Sequence, residues 1–285
     1  MNRKVFIPAA VLFLLAALSA AAGPLGHLLS IESNTADLAG RFLPPSSAHF
    51  FGTDELGRDV FIRLLYGGQV SLGVGLTAAL LASGIGTSIG LLAGYAGGRA
   101  DAFLMRLTDI LIALPLLPLL IILSAVDAEK LGFPAGADAG IYKIIILISL
   151  TGWTTVARLT RARALTLKQM DFVLAARALG VGSLRIIIRH IFPNLLGTVI
   201  VATTLAVGHI ILIESVLSFL GLGIQPPLPS WGNMLTNAED NIWEHALLTI
   251  YPGAMIFITV LAFNFLGDGL QSALDPKSSA ARGRV

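Results

Sequence analysis

Cysteine is absent from this chain of 285 residues, which excludes disulfides, thiolate metal sites and thiol nucleophiles. Charge is scarce as well. Only 13% of residues are Asp, Glu, Lys or Arg, against 55% hydrophobic, and mean hydropathy is +0.82. That balance excludes an ordinary soluble globular domain. No Gly-x-x-x-x-Gly-Lys-[Ser/Thr] phosphate loop, nucleophile elbow or His-Glu-x-x-His motif occurs. The five histidines, at positions 27, 49, 190, 209 and 245, never recur at metal-ligand spacing. The sequence therefore reads as non-catalytic, with no cofactor, no metal site and no nucleic-acid partner.

What the chain does have is length of apolar run. About 20 consecutive apolar residues cross a bilayer, and six such runs occur, near 5–22, 70–93, 107–126, 141–156, 195–217 and 246–266. The expected fold class is an all-α polytopic membrane protein with six transmembrane helices. With the amino terminus inside, the inner segments carry fourteen Lys and Arg, among them Arg3, Lys4, Arg158, Arg161, Arg163, Arg177, Lys277, Arg282 and Arg284. The outer segments carry five: Arg41, Arg58, Arg63, Lys130 and Lys143. This asymmetry places both termini in the cytoplasm. A cleaved signal peptide ending at Ala20-Ala-Ala22 is the alternative reading of the first run. The expected organisation is a first membrane helix in 1–25, an outer segment with an interfacial helix in 26–69, five helices in 70–270 with an inner loop at 158–194, and a tail at 271–285.

Gly86, Gly90, Gly94 and Gly98 recur every fourth residue, a stripe that lets another helix approach closely in lipid. Packing within the chain and pairing with a second subunit both fit. In the outer segment, Thr53 can cap a helix whose first turn holds Asp54 and Glu55. Asp54–Arg58 and Asp59–Arg63 then fall at i, i+4, Val60, Phe61, Leu64 and Leu65 form an apolar side, and Gly67-Gly68 ends the helix.

The most informative segment runs from Asp171 to Pro193. A first helix is expected over 167–179, then Gly180 to supply a left-handed turn. Ser183 caps a second helix whose Leu184, Ile187, Ile188 and Ile191 face one way, and Pro193 closes it. Such a basic amphipathic hairpin can rest on anionic membrane lipid or seat its small alanines in a groove of another protein. Among intramembrane polar residues, Glu214 sits toward the outer end of the fifth run. With His209 and Ser215 it is a candidate for the pathway lining or an outer gate. Trp231, Trp243 and Tyr251 read as interfacial anchors. The walls of the spans are small and apolar, with few hydroxyls and almost no fixed charge, which offers a bare metal ion no set of polar ligands.

Leu174-Ala175-Ala176, Gly180 and Phe192-Pro193 follow the order Glu-Ala-Ala, three residues, Gly, then a proline-ended apolar tetrad. Leu174 stands where that pattern has glutamate, with Asp171 three residues earlier. Gly-Thr-Asp-Glu-Leu-Gly-Arg-Asp from Gly52, Ser218-Phe-Leu-Gly-Leu-Gly223, Pro229-Ser-Trp-Gly232 and Leu274-Asp-Pro276 are further matches. Together these resemble the permeases of the dipeptide/oligopeptide/nickel ABC importer family, over about 51–276. The resemblance implies a type I ABC importer permease fold in a prokaryotic inner membrane. It implies coupling to ATPase subunits through Asp171, Leu174, Ala175, Ala176, Gly180 and Pro193. The implied partners are a homologous second permease, two ABC ATPases, an extracytoplasmic solute-binding protein and peptide cargo, with nickel or a nickel chelate as the alternative. A stand-alone secondary transporter or channel is the competing class; it would need coupling or filter groups near mid-membrane, and these spans are almost devoid of central charges.

Overall fold

The computed structural model describes residues 3–126 and 139–274. Lys130, Lys277, Arg282, Arg284 and the Asp275-Pro276 pair lie outside the described residues. Among those described there is no strand, only one isolated bridge between Thr53 and Asp59. The helices are α1 (Arg3–Ala20), α2 (Ala22–Leu29), α3 (Val60–Ala96), α4 (Gly98–Ala113), α5 (Leu116–Ser124), α6 (Ala139–Leu167), α7 (Asp171–Ala178), α8 (Ser183–Ile186), α9 (Phe192–Phe219), α10 (Ala238–Asn241) and α11 (Ala246–Leu274). Among the described residues, five helical rods are long and apolar enough to cross a membrane, and α4 with α5, bent by 83°, would be a sixth if the pair is one span. The bend divides the apolar run at 107–126 expected as the third span. Leu114 precedes Pro115 and is extended (ψ 136). Proline both lacks a donor and drives its predecessor out of the helical region.

Helix α3 is the spine of the bundle, and α6 packs along it through the glycine stripe. A Cβ on Gly86 would lie 2.5 Å from the Trp153 carbonyl, one on Gly90 would overlap that of Ala157, and one on Gly94 would lie 2.8 Å from the Ala164 Cβ. The stripe thus serves packing within the chain. Gly98 is not part of it, because Gly97 (φ +69) has already ended α3. Helix α9 packs on the same spine, and Val74, Ala78, Ile144, Ile148, Ile211 and Leu217 form the central core of α3, α6 and α9. Helix α11 covers α9, and α1 crosses outside, from Ser19 against Gly68 of α3 to the Lys4 carbonyl against Gly269 of α11.

Two ends of the bundle differ in chemistry. The basic end carries α4 and the turn after α6, where Arg161 binds Asp101 through two hydrogen bonds (2.5 and 2.6 Å) and Arg158 binds Asp109. Arg158, Arg161 and Arg163 belong to α6, which continues to Leu167, so the loop expected from residue 158 is shorter than its sequence suggested. The far end carries residues 30–59 and the connection from α9 to α11.

The interfacial helix expected in 26–69 does not form as a separate element. Thr53 is no cap: its hydroxyl donates to the Gly40 carbonyl and accepts from the Leu43 N–H. Asp59 caps the helix instead, accepting from the Ile62 N–H at 2.8 Å, and α3 runs on through Gly67-Gly68. Those glycines are spacers rather than terminators. The Trp231 indole lies 3.2 Å from a Cβ on Gly67, and Ser19 would overlap one on Gly68. Of the two expected ion pairs, Arg58 does bind Asp54 at 2.7 Å, whereas Asp59 faces His49 at 2.9 Å. Arg63 turns back to the Ser33 carbonyl and Asn34, with Asp54 at 3.6 Å, which pins the outer segment onto the start of α3.

Candidate functional site

The hairpin at the basic end is built by local rules. Its first arm, α7, starts only at Asp171, because α6 closes at Leu167 and Met170 is extended. Its end is a complete Schellman motif: the Gly180 N–H donates to the Arg177 carbonyl and the Val181 N–H to that of Ala176. Gly180 sits at φ +75, as its place in the sequence predicts. Val173 and Ala176 point inward, against Leu91, Leu167, Ile186, Ile191 and Leu195. Lys168 anchors the base by donating to the Tyr95 carbonyl at 2.6 Å, and Arg177 lies over the Tyr95 ring.

The second arm departs from expectation. Ser183 caps nothing, Gly182 being the cap residue, and the chain passes from α8 through a wide π turn, Ile187–Ile191, straight into α9. The turn has a physical cause. Pro193 offers no N–H and would clash with a carbonyl four residues back, so the helix widens before it. Pro193 therefore sits in the first turn of α9 and does not close a helix. The extra residue also rotates the apolar face, so that Ile186 and Ile191 are buried while Leu184 is 70% and Ile188 59% exposed.

Of the predicted hairpin residues, Asp171, Leu174, Ala175, Gly180 and Pro193 lie on the surface, and Ala176 is buried. Phe172, Leu174, Leu179, Leu184 and Ile188 add an unusual amount of exposed apolar surface, Leu179 reaching 84%. The two arms touch, with the Phe172 and His190 rings 6.4 Å apart. A shallow groove between Leu184, Arg185, Ile188, Arg189 and Pro193 borders this face. The hairpin is thus a rigid knob with apolar and basic surface, seated on a shared core with α6 and α9.

Some 35 Å along α9, at 1.5 Å per residue, lies the second candidate. Glu214 is wholly buried. Ser218 Oγ donates to its Oε1 at 2.7 Å and Ser71 Oγ to its Oε2 at 3.1 Å, with Ser215 and Ser230 also in reach. A buried carboxylate is tolerable only when its acceptors are filled, and here each oxygen receives one serine hydroxyl. The cage extends into the far-end connection: Ser218 Oγ accepts from the Ile224 N–H, and Ser71 Oγ from the Trp231 N–H. Trp231 is 1% exposed and donates its indole N–H to the Leu64 carbonyl, so it is a core residue and no interfacial anchor. Trp243 is exposed, and Tyr251 stacks on Phe51 at 4.4 Å. His209 faces outward on the same helix, apart from Glu214 and Ser215. The three proposed lining residues therefore do not share one surface.

Sequence reasoning missed Ser71, Ser218 and Ser230 as the carboxylate's partners. The signal lies in Ser218-Phe-Leu-Gly221 and Pro229-Ser-Trp-Gly232, two motifs whose serines the fold brings to Glu214. Among the described residues, no group of three His, Asp or Glu side chains could hold a metal ion.

The geometry has clear relatives. The family model "binding-protein-dependent transport system inner membrane component" matches residues 86–280. The dipeptide transport system permease protein DppC of Bacillus subtilis (strain 168) is 45% identical over 236 residues, covering 82% of this chain and 71% of that protein. The oligopeptide transport system permease protein OppC of the same organism is 40% identical, covering 86% and 77%. The glutathione transport system permease protein GsiD of Pectobacterium atrosepticum is 41% identical, covering 82% and 74%. An inward-facing structure of the MetNI methionine ABC transporter matches with TM-score 0.60 at 16% identity, covering 75% of this chain and 96% of that one. That likeness speaks for a shared fold. With more than half its length matched by the family model and relatives above 40% identity, this chain belongs to the family of binding-protein-dependent transport system inner membrane components.

Proposed function

We propose that this chain is one permease subunit of an ATP-driven importer of dipeptides and oligopeptides. The carrying observation is the apolar, basic knob of α7 and α8, exposed yet fixed to the bundle by a common core. Such a surface asks for a protein groove. In this reading the groove belongs to an ATPase on a separate chain, two of which serve this subunit and a homologous second permease. Both termini then lie in the cytoplasm, and the far end meets an extracytoplasmic solute-binding protein. Closure of the ATPases would carry the knob as a rigid body, and α9, running unbroken from the knob to Glu214, would transmit that movement to the far end.

Peptide cargo is inferred from the similarity to dipeptide, oligopeptide and glutathione permeases. Its test is uptake by cells lacking only this subunit, with labelled dipeptides, longer peptides and nickel offered in parallel. Peptide uptake should fall to background and nickel uptake should be unchanged. Lost nickel uptake with normal peptide uptake would reverse the cargo assignment and leave the subunit role standing.

A further inference from the structure

Four buried hydroxyls have no hydrogen-bond partner among the described residues: those of Ser83, Thr87, Thr160 and Thr259. Two of these residues, Ser83 and Thr87, one helical turn apart on α3, line one groove of about 560 Å3 between α3, α9 and α11, with their hydroxyl oxygens tucked behind its wall. Ser83 is 4% and Thr87 6% exposed. Three more hydroxyls line the groove. Those of Ser88, Thr203 and Thr204 donate to their own helix, at 2.8 Å to the carbonyls of Gly84, Val199 and Ile200, and so keep lone pairs free as acceptors. The spans are poor in hydroxyls along the sequence, but folding gathers five of them here. The groove is open on its α3 side, where a Cβ on Gly84 would meet nothing within 4 Å.

We propose that this groove is a cargo-contacting site of the permease, in which the Ser83 and Thr87 hydroxyls donate to the carbonyls of a peptide-like solute and Ser88, Thr203 and Thr204 accept from its N–H groups. The inference rests on the transport reading above and specifies where and how cargo is held. A buried unpaired hydroxyl costs free energy and calls for a partner. Lipid tails offer none. A transmembrane helix of another subunit has its backbone groups already paired within itself. A peptide in transit carries unpaired donors and acceptors in alternation, which matches two free donors beside three free acceptors. Serine and threonine each reach more than one rotamer in a helix, so both hydroxyls can turn out toward an occupant without moving the backbone.

The test is the double variant Ser83→Ala/Thr87→Val in the complete reconstituted complex with its binding protein. Removing unpaired hydroxyls by near-isosteric change is neutral or stabilising for a residue that serves only packing, so folding is preserved. Uptake of a labelled tripeptide should fall about tenfold, as expected for two lost hydrogen bonds, with unchanged subunit assembly and an equal or higher Tm. Thr160→Val removes an equally unpaired hydroxyl outside the groove and should leave uptake at the wild-type level. Wild-type uptake by the double variant would overturn the proposal. Loss of the second permease from the purified complex would overturn it too, by assigning the groove to a subunit interface. If the wild-type complex itself moves no peptide, the peptide reading fails together with this one.

Discussion

Replacing Gly180 by valine should abolish ATP-driven uptake while the chain still inserts and folds. Gly180 occupies φ +75, and nothing lies within 4 Å of an added Cβ, so the defect is one of backbone conformation and not of crowding. A left-handed conformation costs an ordinary residue about 1–2 kcal/mol, and a β-branched one is a genuine outlier there. That penalty is small beside the packing of the bundle but large for an eight-residue helix held by Val173 and Ala176. The hairpin should therefore rearrange and the knob should lose its shape. The expected companion defect is loss of ATPase subunits on purification. Gly180→Asn provides the control, because asparagine tolerates the left-handed region and should retain most transport. Wild-type uptake with valine would contradict the proposed role of the turn.

Replacing Glu214 by alanine should destabilise the far end, on the order of 3 kcal/mol, because two hydroxyl donors to a carboxylate are orphaned at once. Ser71 and Ser218 also accept from Trp231 and Ile224, so the loss should spread into the connection between α9 and α11. Thermal unfolding in detergent should show a clear drop in Tm, and residues 220–235 should become sensitive to protease. Glu214→Gln retains one acceptor oxygen and should fall between the two. An unchanged Tm for the alanine variant would remove Glu214 from its structural role.

The sequence made some of this legible and hid the rest for physical reasons. Gly180 could be read directly, because a helix terminus of this kind is decided by a single residue's conformation. The glycine stripe could be read as a close approach, but its partner could not, since Gly86 and Gly90 meet α6 some seventy residues away. Gly67 and Gly68 misled in the other direction. Local rules make them a helix stop, whereas Trp231 and Ser19 press on them and require absent side chains in a continuing helix. Pro193 misled similarly, because a π turn lets the helix pass it. Trp231 looked like an anchor at the membrane surface by type, and only the fold shows its indole bonded to the Leu64 carbonyl. The depth of Glu214 was readable from its place in α9, while its serine cage draws on three separate stretches of chain.

As proposed above, this chain forms half of a pathway and is driven through its hairpin by ATPases on other chains. The most direct measurement is uptake of a labelled dipeptide, with ATP supplied, into liposomes holding either the purified chain alone or the complete complex with its binding protein. Uptake is expected by the complete complex, none by the chain alone, and none by a complex carrying Gly180→Val. ATP-dependent uptake by liposomes that hold only this polypeptide would contradict the proposal.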